Sequence, residues 1–264
     1  MRAQRPERLC GMRWIERCCA AAGVLALLAV GSARADWNPG DPAKWVQLPD
    51  LSPQGMDVYA TARPGQVVAK ILADDWACTS IDPITDIHIW GSWLNDELPI
   101  GQLGPGQIGP DPAAVVFKLS IHADVPATGN TPSHPGPVLW QTVTMASSVR
   151  PYGARLKDPE LFFNPNNPPG QQIIGYDYQV WQYNFTNLRN ELGLPFIQQG
   201  TPERPVIYWL DVQAMPLDGL ATFGWKTAIP PHRLDDAVFG DTEGFNGPLI
   251  VGGGILNSGW TEMY

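Results

Sequence analysis

The chain has 264 residues, with 17 Lys+Arg against 26 Asp+Glu, a formal charge of −9, and 27 Gly, 27 Pro and 11 Trp. Charged residues make up 16% where about 25% is usual, and Gly and Pro punctuate the whole length, which excludes a helical bundle or coiled coil. The acidic balance excludes a nucleic-acid binder, which needs a basic surface to displace phosphate counterions.

The first segment reads as a targeting signal. Arg2, Arg5, Arg8, Arg13 and Arg17 make a basic stretch, Ala20 to Val30 is a short run of Ala, Val and Leu broken by Gly23, and Ala33-Arg34-Ala35 supplies a small-x-small cleavage pattern. The expectation is a secretory signal peptide over residues 1–35, removed after Ala35. Its apolar run is shorter than the roughly 20 residues a membrane-spanning helix needs. A mature chain over 36–264 would therefore carry no membrane span and would act in the periplasm, at the cell surface or in the medium. Cleavage takes away six Arg and two Glu, leaving a formal charge of −13, and removes Cys10, Cys18 and Cys19. Cys78 then stands alone, so no internal disulfide can form, and it reads as a small buried hydrophobe.

Beyond the signal, period-two apolar alternation bounded by Gly, Pro, Asn and Asp marks short strands. The clear runs are 67–76, 84–93, 115–123, 138–144, 178–185, 206–214 and 221–227; weaker ones are 56–60, 237–239 and 249–256. Breaker-rich loops are expected at 98–112, 124–137 and 164–172, and one or two helical turns at 187–194. No crossover helices exist to build a parallel sheet. The reading is therefore an all-β fold: a single β-sandwich of jelly-roll type with long Gly/Pro-rich loops.

Candidate functional residues come from the faces of these strands. Alternation sets Ile87 and Ile89 against Asp86, His88 and Trp90, and Phe117, Leu119 and Ile121 against Lys118, Ser120, His122 and Asp124. Were the strands neighbours, His88 and His122 could meet, joined by Asp211 or Gln213, as a metal site or a Ser120/His/Asp group; the plainer reading is a polar sheet face. The doublets Asp74-Asp75 and Asp235-Asp236 supply hard oxygen donors at strand ends, which suit Ca²⁺, or they cap backbone amides. Trp90, Trp93 and Trp209, with Trp181, would offer a stacking platform for sugars if exposed, and core packing if not. Asp96 and Glu97 are adjacent in a loop and name no partner for glycosidase chemistry. There is no His-Glu-x-x-His, Gly-x-Ser-x-Gly or phosphate loop.

Several stretches taken together, Lys70-Ile-Leu-Ala-Asp-Asp-Trp76, Pro83-Ile-Thr-Asp-Ile-His-Ile-Trp-Gly-Ser-Trp-Leu-Asn-Asp96, Leu119-Ser-Ile-His-Ala-Asp124, Trp181-Gln-Tyr-Asn-Phe185, Gln199-Gly-Thr-Pro202, Tyr208-Trp-Leu-Asp-Val-Gln-Ala214, Phe223-Gly-Trp-Lys-Thr227 and Asp235-Asp-Ala-Val238, resemble a family of exported bacterial domains of unknown function. Such domains are often met in proteins with a PEP-CTERM type sorting tail. The resemblance implies an exported β-sandwich and supplies no catalytic residues. This chain departs from it in lacking an apolar anchor followed by Arg, and Gly259 to Tyr264 reads as the approach to one further strand, so the sandwich is expected to stop one strand short. The functional expectation is a non-catalytic exported sandwich that binds a glycan or a cell-surface partner. Two alternatives stay open: a calcium-assisted hydrolase or lyase of extracellular polysaccharide, and a structural assembly module.

Overall fold

The computed structural model describes residues 36–63, 69–229, 234–242 and 255–263. The segment expected to be a signal peptide lies outside them, and the compact unit that holds the fold runs from Ala35 to Tyr264. In chain order the strands are β1 (Met56–Tyr59), β2 (Ala69–Cys78), β3 (Pro83–Ile84), β4 (Ile87–Trp93), β5 (Ile100–Gly104) and β6 (Gln107–Pro110). Then follow β7 (Val115–Val125), β8 (His134–Thr144), β9 (Ser148–Pro151), β10 (Glu160–Phe163), β11 (Ile173–Asp177) and β12 (Trp181–Phe185). The last are β13 (Phe196–Ile197), β14 (Val206–Pro216), β15 (Phe223–Lys226), β16 (Val238–Thr242) and β17 (Ile255–Glu262).

They form a β-sandwich. One sheet has seven strands in the order β11-β10-β1-β15-β4-β12-β9, the other six in the order β17-β16-β2-β14-β7-β8. Pairing is antiparallel except between β1 and β10. The strands β1, β2, β4 and β7 alternate between the sheets, as do β12, β14, β15 and β16, the crossing pattern a jelly roll uses. A single 3₁₀ turn, Leu94–Asp96, is the one helical piece among the described residues, and no helix there is long and apolar enough to cross a membrane.

The core lies between the sheets. Phe117 of β7 packs edge-on against Tyr183, Phe185 and Phe223 at centroid distances of 5.1, 5.2 and 5.3 Å. Trp93 is wholly buried beside Phe223, and its Nε1–H donates to Tyr183 Oη at 2.9 Å, whose own hydroxyl donates to the Pro112 carbonyl at 3.1 Å. Each large aromatic removes about 150–250 Å² from water, worth about 4–6 kcal/mol at about 25 cal/mol/Å². A core this rich in rings needs no disulfide, and Cys78 is buried within it.

Several expectations fail for physical reasons. The 98–112 segment is not open loop: β5 and β6 form a hairpin closed at Gly106, which takes φ 75°. Its Leu103 and Ile108 are exposed, so it has no buried face and leaves no alternation to read. Residues 187–194 form turns rather than helix, with Asn187 at φ 54° and Gly193 N–H donating to the Asn190 carbonyl. The short strands β9, β10 and β11 sit among Pro and Gly and escape a periodicity reading. The segment read as the approach to a further strand is the second half of β17, itself paired to β16.

Candidate functional site

The outer faces of both sheets carry the polar half of the alternation, yet they are largely buried. On the seven-stranded sheet the segment Asp36–Asn38 lies across β12 and β9. The Trp37 carbonyl accepts from Gln182 Nε2 at 2.7 Å and from Arg150 Nη2 at 2.8 Å, and the Trp37 ring meets Trp90 edge-on at 6.0 Å. Ser148 Oγ and Asn184 Nδ2 both donate to Asp36 Oδ1. His88 Nδ1 faces Asn184 Oδ1 at 2.7 Å, and burial holds the His88 pKa below its ordinary value.

Further along the same face, five strands converge on one acidic centre. Asp57 comes from β1, Glu160 from β10, Asp177 from β11, Ser92 from β4 and Lys226 from β15, all buried. Register explains the meeting: Asp57 stands opposite Lys226, and Glu160 opposite Asp177. Lys226 Nζ lies 2.9 Å from Glu160 Oε2 and 3.4 Å from Asp57 Oδ2. One ligand oxygen from each of the three carboxylates lies within 4.8 Å of the others, and none of the carboxylate oxygens accepts a hydrogen bond of good geometry. Burial raises all three carboxyl pKa values, Glu160 to about 7 and Asp177 to about 9, with the Lys226 charge only partly offsetting it. Burial works against the Lys226 ammonium too, but Asp57 and Glu160 outweigh it and its pKa ends above the ordinary value.

Two glycines make this centre possible. A Cβ on Gly55 would stand 2.3 Å from the Asp50 carbonyl oxygen, 2.7 Å from Glu160 Oε1 and 2.9 Å from Lys226 Nζ. A Cβ on Gly224 would collide with the Phe162 ring and Asp57 Cβ.

On the six-stranded sheet, β7 and β14 pair Lys118 with Gln213, Ser120 with Asp211 and His122 with Trp209. His122 Nε2 lies 2.6 Å from Asp211 Oδ2, and His122 Nδ1 lies 2.9 Å from the Gly136 carbonyl oxygen. A carbonyl only accepts, and so does an ionised carboxylate, so both ring nitrogens carry protons and the ring is an imidazolium. Burial opposes that charge, but the Asp211 bond and charge outweigh it and the pKa is raised. With both nitrogens engaged, His122 has no lone pair with which to deprotonate Ser120.

The residues named from sequence thus fall into separate places. His88 and His122 lie on different sheets, both on outer faces, so they do not meet; Asp211 does join His122. Trp90 faces outward but is covered by Trp37 and by Tyr152, 5.5 Å away. Trp93 faces the core. Trp209 is wholly buried, and its Nε1–H donates to Asp124 Oδ1 at 2.9 Å. None of the three presents an exposed ring for a sugar. Asp96 takes φ 56° and is spent on structure, accepting from the Tyr178 and Gln179 amides and from Arg155 Nη2.

The two acidic doublets do come close. Burial, and then the Asp74 and Asp235 charges, raise the Asp75 pKa to about 8, and burial, with the Asp236 charge adding to it, raises Asp74 to about 7. Asp74 and Asp75, however, are successive residues of β2 and point to opposite faces of the sheet. Asp74 Oδ1 accepts the Asp75 amide, and Asp235 Oδ2 accepts Ser133 Oγ–H. The sequence reading missed Asp57, Glu160 and Asp177 because they are far apart in the chain and each sits singly in a short strand.

Fold and faces together define a two-sheet sandwich with buried polar outer faces, one of them holding three carboxylates around a lysine. Residues 43–249 match the family described as "Domain of unknown function (DUF7901)", and the chain belongs to that family. No curated protein and no solved structure matches it.

Proposed function

We propose that the protein is exported and acts outside the cytoplasm as a non-catalytic binding β-sandwich, with a polysaccharide or a cell-surface protein as its partner. The carrying observation is an uncovered strip of the seven-stranded sheet. Leu161 pairs with Tyr176 and Phe163 with Ile173, on the face that turns toward the core. Phe163 packs on that core, whereas Leu161, Ile173 and Tyr176 are exposed. Tyr176 meets Tyr178 edge-on at 6.0 Å, and the Arg155 guanidinium sits 4.9 Å over the Tyr178 ring, an apolar and aromatic surface with a polar rim. Export is supported by the compact unit beginning at Ala35 and by the anchoring of Asp36 and Trp37 directly after the expected cleavage point.

Fractionation of expressing cells with N-terminal sequencing tests export: Asp36 as first residue of an extracytoplasmic product is expected, and a cytoplasmic full-length chain overturns it. Co-sedimentation with envelope polysaccharide, and capture from intact cells, test binding. Tyr176→Ala and Leu161→Asp should reduce retention at least tenfold with unchanged unfolding temperature. Equal retention by the wild type and both variants removes the strip as the site.

A second reading, an assembly module, has its own observation. β8 is an eleven-residue edge strand with Leu139 and Val143 exposed, a template for pairing with another strand. Light scattering across concentration, comparing wild type with Val143→Lys, separates this reading from the first.

A further inference from the structure

We propose that Asp57, Glu160 and Asp177 form a binding site for a hard divalent cation of Ca²⁺ size, with Ser92 Oγ as a fourth oxygen and Lys226 as an internal counter-ion. The donor set is all oxygen, as such an ion requires, and it comes from adjacent strands of a rigid sheet. The spacing lets all three carboxylates reach one ion. Two oxygens on opposite sides of Ca²⁺ stand about 4.6–5.2 Å apart, twice the usual Ca–O distance, and about 4.0–4.2 Å apart across Mg²⁺. The three carboxylates offer oxygens within 4.8 Å of one another.

The second observation is a hydroxyl that is not part of the acidic cluster itself. Ser92 Oγ is completely buried and turned toward both Asp57 and Asp177, and neither contact reaches good hydrogen-bond geometry. Buried hydroxyls without partners are uncommon, and this one is aimed at the acidic centre. Lys226 does not fill the site. It engages Glu160 Oε2 and Asp57 Oδ2, and makes no ion pair with Asp177. The Asp50 carbonyl oxygen, Glu160 Oε1 and Lys226 Nζ crowd against Gly55, where a Cβ would have no room.

Charge makes the same demand. Three carboxylates and one ammonium leave two negative charges away from water, where unpaired charge is too costly to persist. Two protons or one divalent cation restore neutrality, and an experiment separates the two.

The purified protein, stripped with EDTA and dialysed at pH 7.5, is titrated with CaCl₂ and separately with MgCl₂, following thermal unfolding and Tb³⁺ luminescence. Binding to the native state alone raises Tm by about 5 °C at a hundredfold excess of Ca²⁺ over its Kd, with a smaller shift for Mg²⁺. Asp177→Asn replaces a buried carboxyl that makes no ion pair with Lys226 by a neutral amide of the same shape. In EDTA it should melt at or above the wild-type temperature, while losing the Ca²⁺ shift and the Tb³⁺ signal. Ser92→Ala, a milder change, should weaken Ca²⁺ binding several-fold. Asp75→Asn, on the other sheet, should leave both readouts intact. The proposal is overturned if Ca²⁺ and Tb³⁺ leave the wild type unmoved, which means protons neutralise the centre, or if Asp75→Asn abolishes binding while Asp177→Asn and Ser92→Ala retain it.

Discussion

Replacing Asp211 with Asn tests the argument that His122 is a buried imidazolium. The swap keeps the shape of the side chain and removes the charge that holds the second proton on the ring. His122 and Asp211 expose only 6% and 2% of their side chains, so solvent does little to screen the pair. Removing one partner of a buried pair costs about 3–5 kcal/mol, because the other charge is left unpaired or must be discharged. At about 2 °C per kcal/mol for a domain of this size, Tm should fall by about 6–10 °C. The sign with pH is specific. The folded pKa of His122 lies above its unfolded value near 6.5, so the stability it contributes is fully present below about pH 6.5 and is lost as pH rises through the folded pKa. Without Asp211, burial and the Lys118 charge act against the charged ring and only the Gly136 carbonyl favours it, so acid should then destabilise. Urea unfolding of wild type and variant at pH 5.5 and pH 9 should therefore show the gap between them shrinking as pH rises, toward the roughly 1.5–3 kcal/mol of a hydrogen bond to a charged group. A gap under about 1 kcal/mol at pH 5.5, or one that does not change with pH, refutes the reasoning.

Other outcomes follow from the same geometry. Phe117→Ala empties the middle of the aromatic core and should cost about 3–5 kcal/mol by urea unfolding, with the denaturant slope unchanged. Gly55→Ala forces a methyl against the Asp50 carbonyl and the Glu160 and Lys226 side chains, and should cost about 1–3 kcal/mol, whereas the same change at Gly104, whose Cβ would meet only Gln107 Oε1 at 3.6 Å, should cost less. In EDTA the acidic centre should make the protein less stable as pH rises. Glu160 holds its proton up to about pH 7 when folded but loses it near 4.5 when unfolded, so urea midpoints should drop between pH 5 and pH 8, and Glu160→Gln should flatten that drop.

Much of the sandwich was legible because its central strands bury one apolar face each. Phe117, Leu119 and Ile121 alternate with Lys118, Ser120 and His122, and so do Ile87 and Ile89 with His88 and Trp90; the observed core takes the apolar member each time. The His122–Asp211 contact was in reach for the same reason, since both lie on polar faces of strands that turned out to pair. The join with His88 was not. Nothing in a single strand says which sheet it enters, and β4 and β7 enter different ones. The tryptophans misled in one respect: alternation shows that Trp90 faces away from the core, but not that Trp37 and Tyr152 lie on top of it.

By itself the sequence determined that the chain is all-β and acidic, with strands near 67–76, 84–93, 115–123 and 206–214. Those properties depend on neighbours a few residues apart, through alternation, turn formers and composition. Only the tertiary structure decided that Asp57, Glu160 and Asp177 share one centre with Lys226, because register across β1, β10, β11 and β15 brings together residues as far apart as 57 and 226. It also decided that the polar faces are buried, because segments such as Asp36–Asn38 fold across a sheet whose hydrogen-bonding groups match theirs. Burial then turns ordinary carboxylates into groups that must take up a proton or a cation.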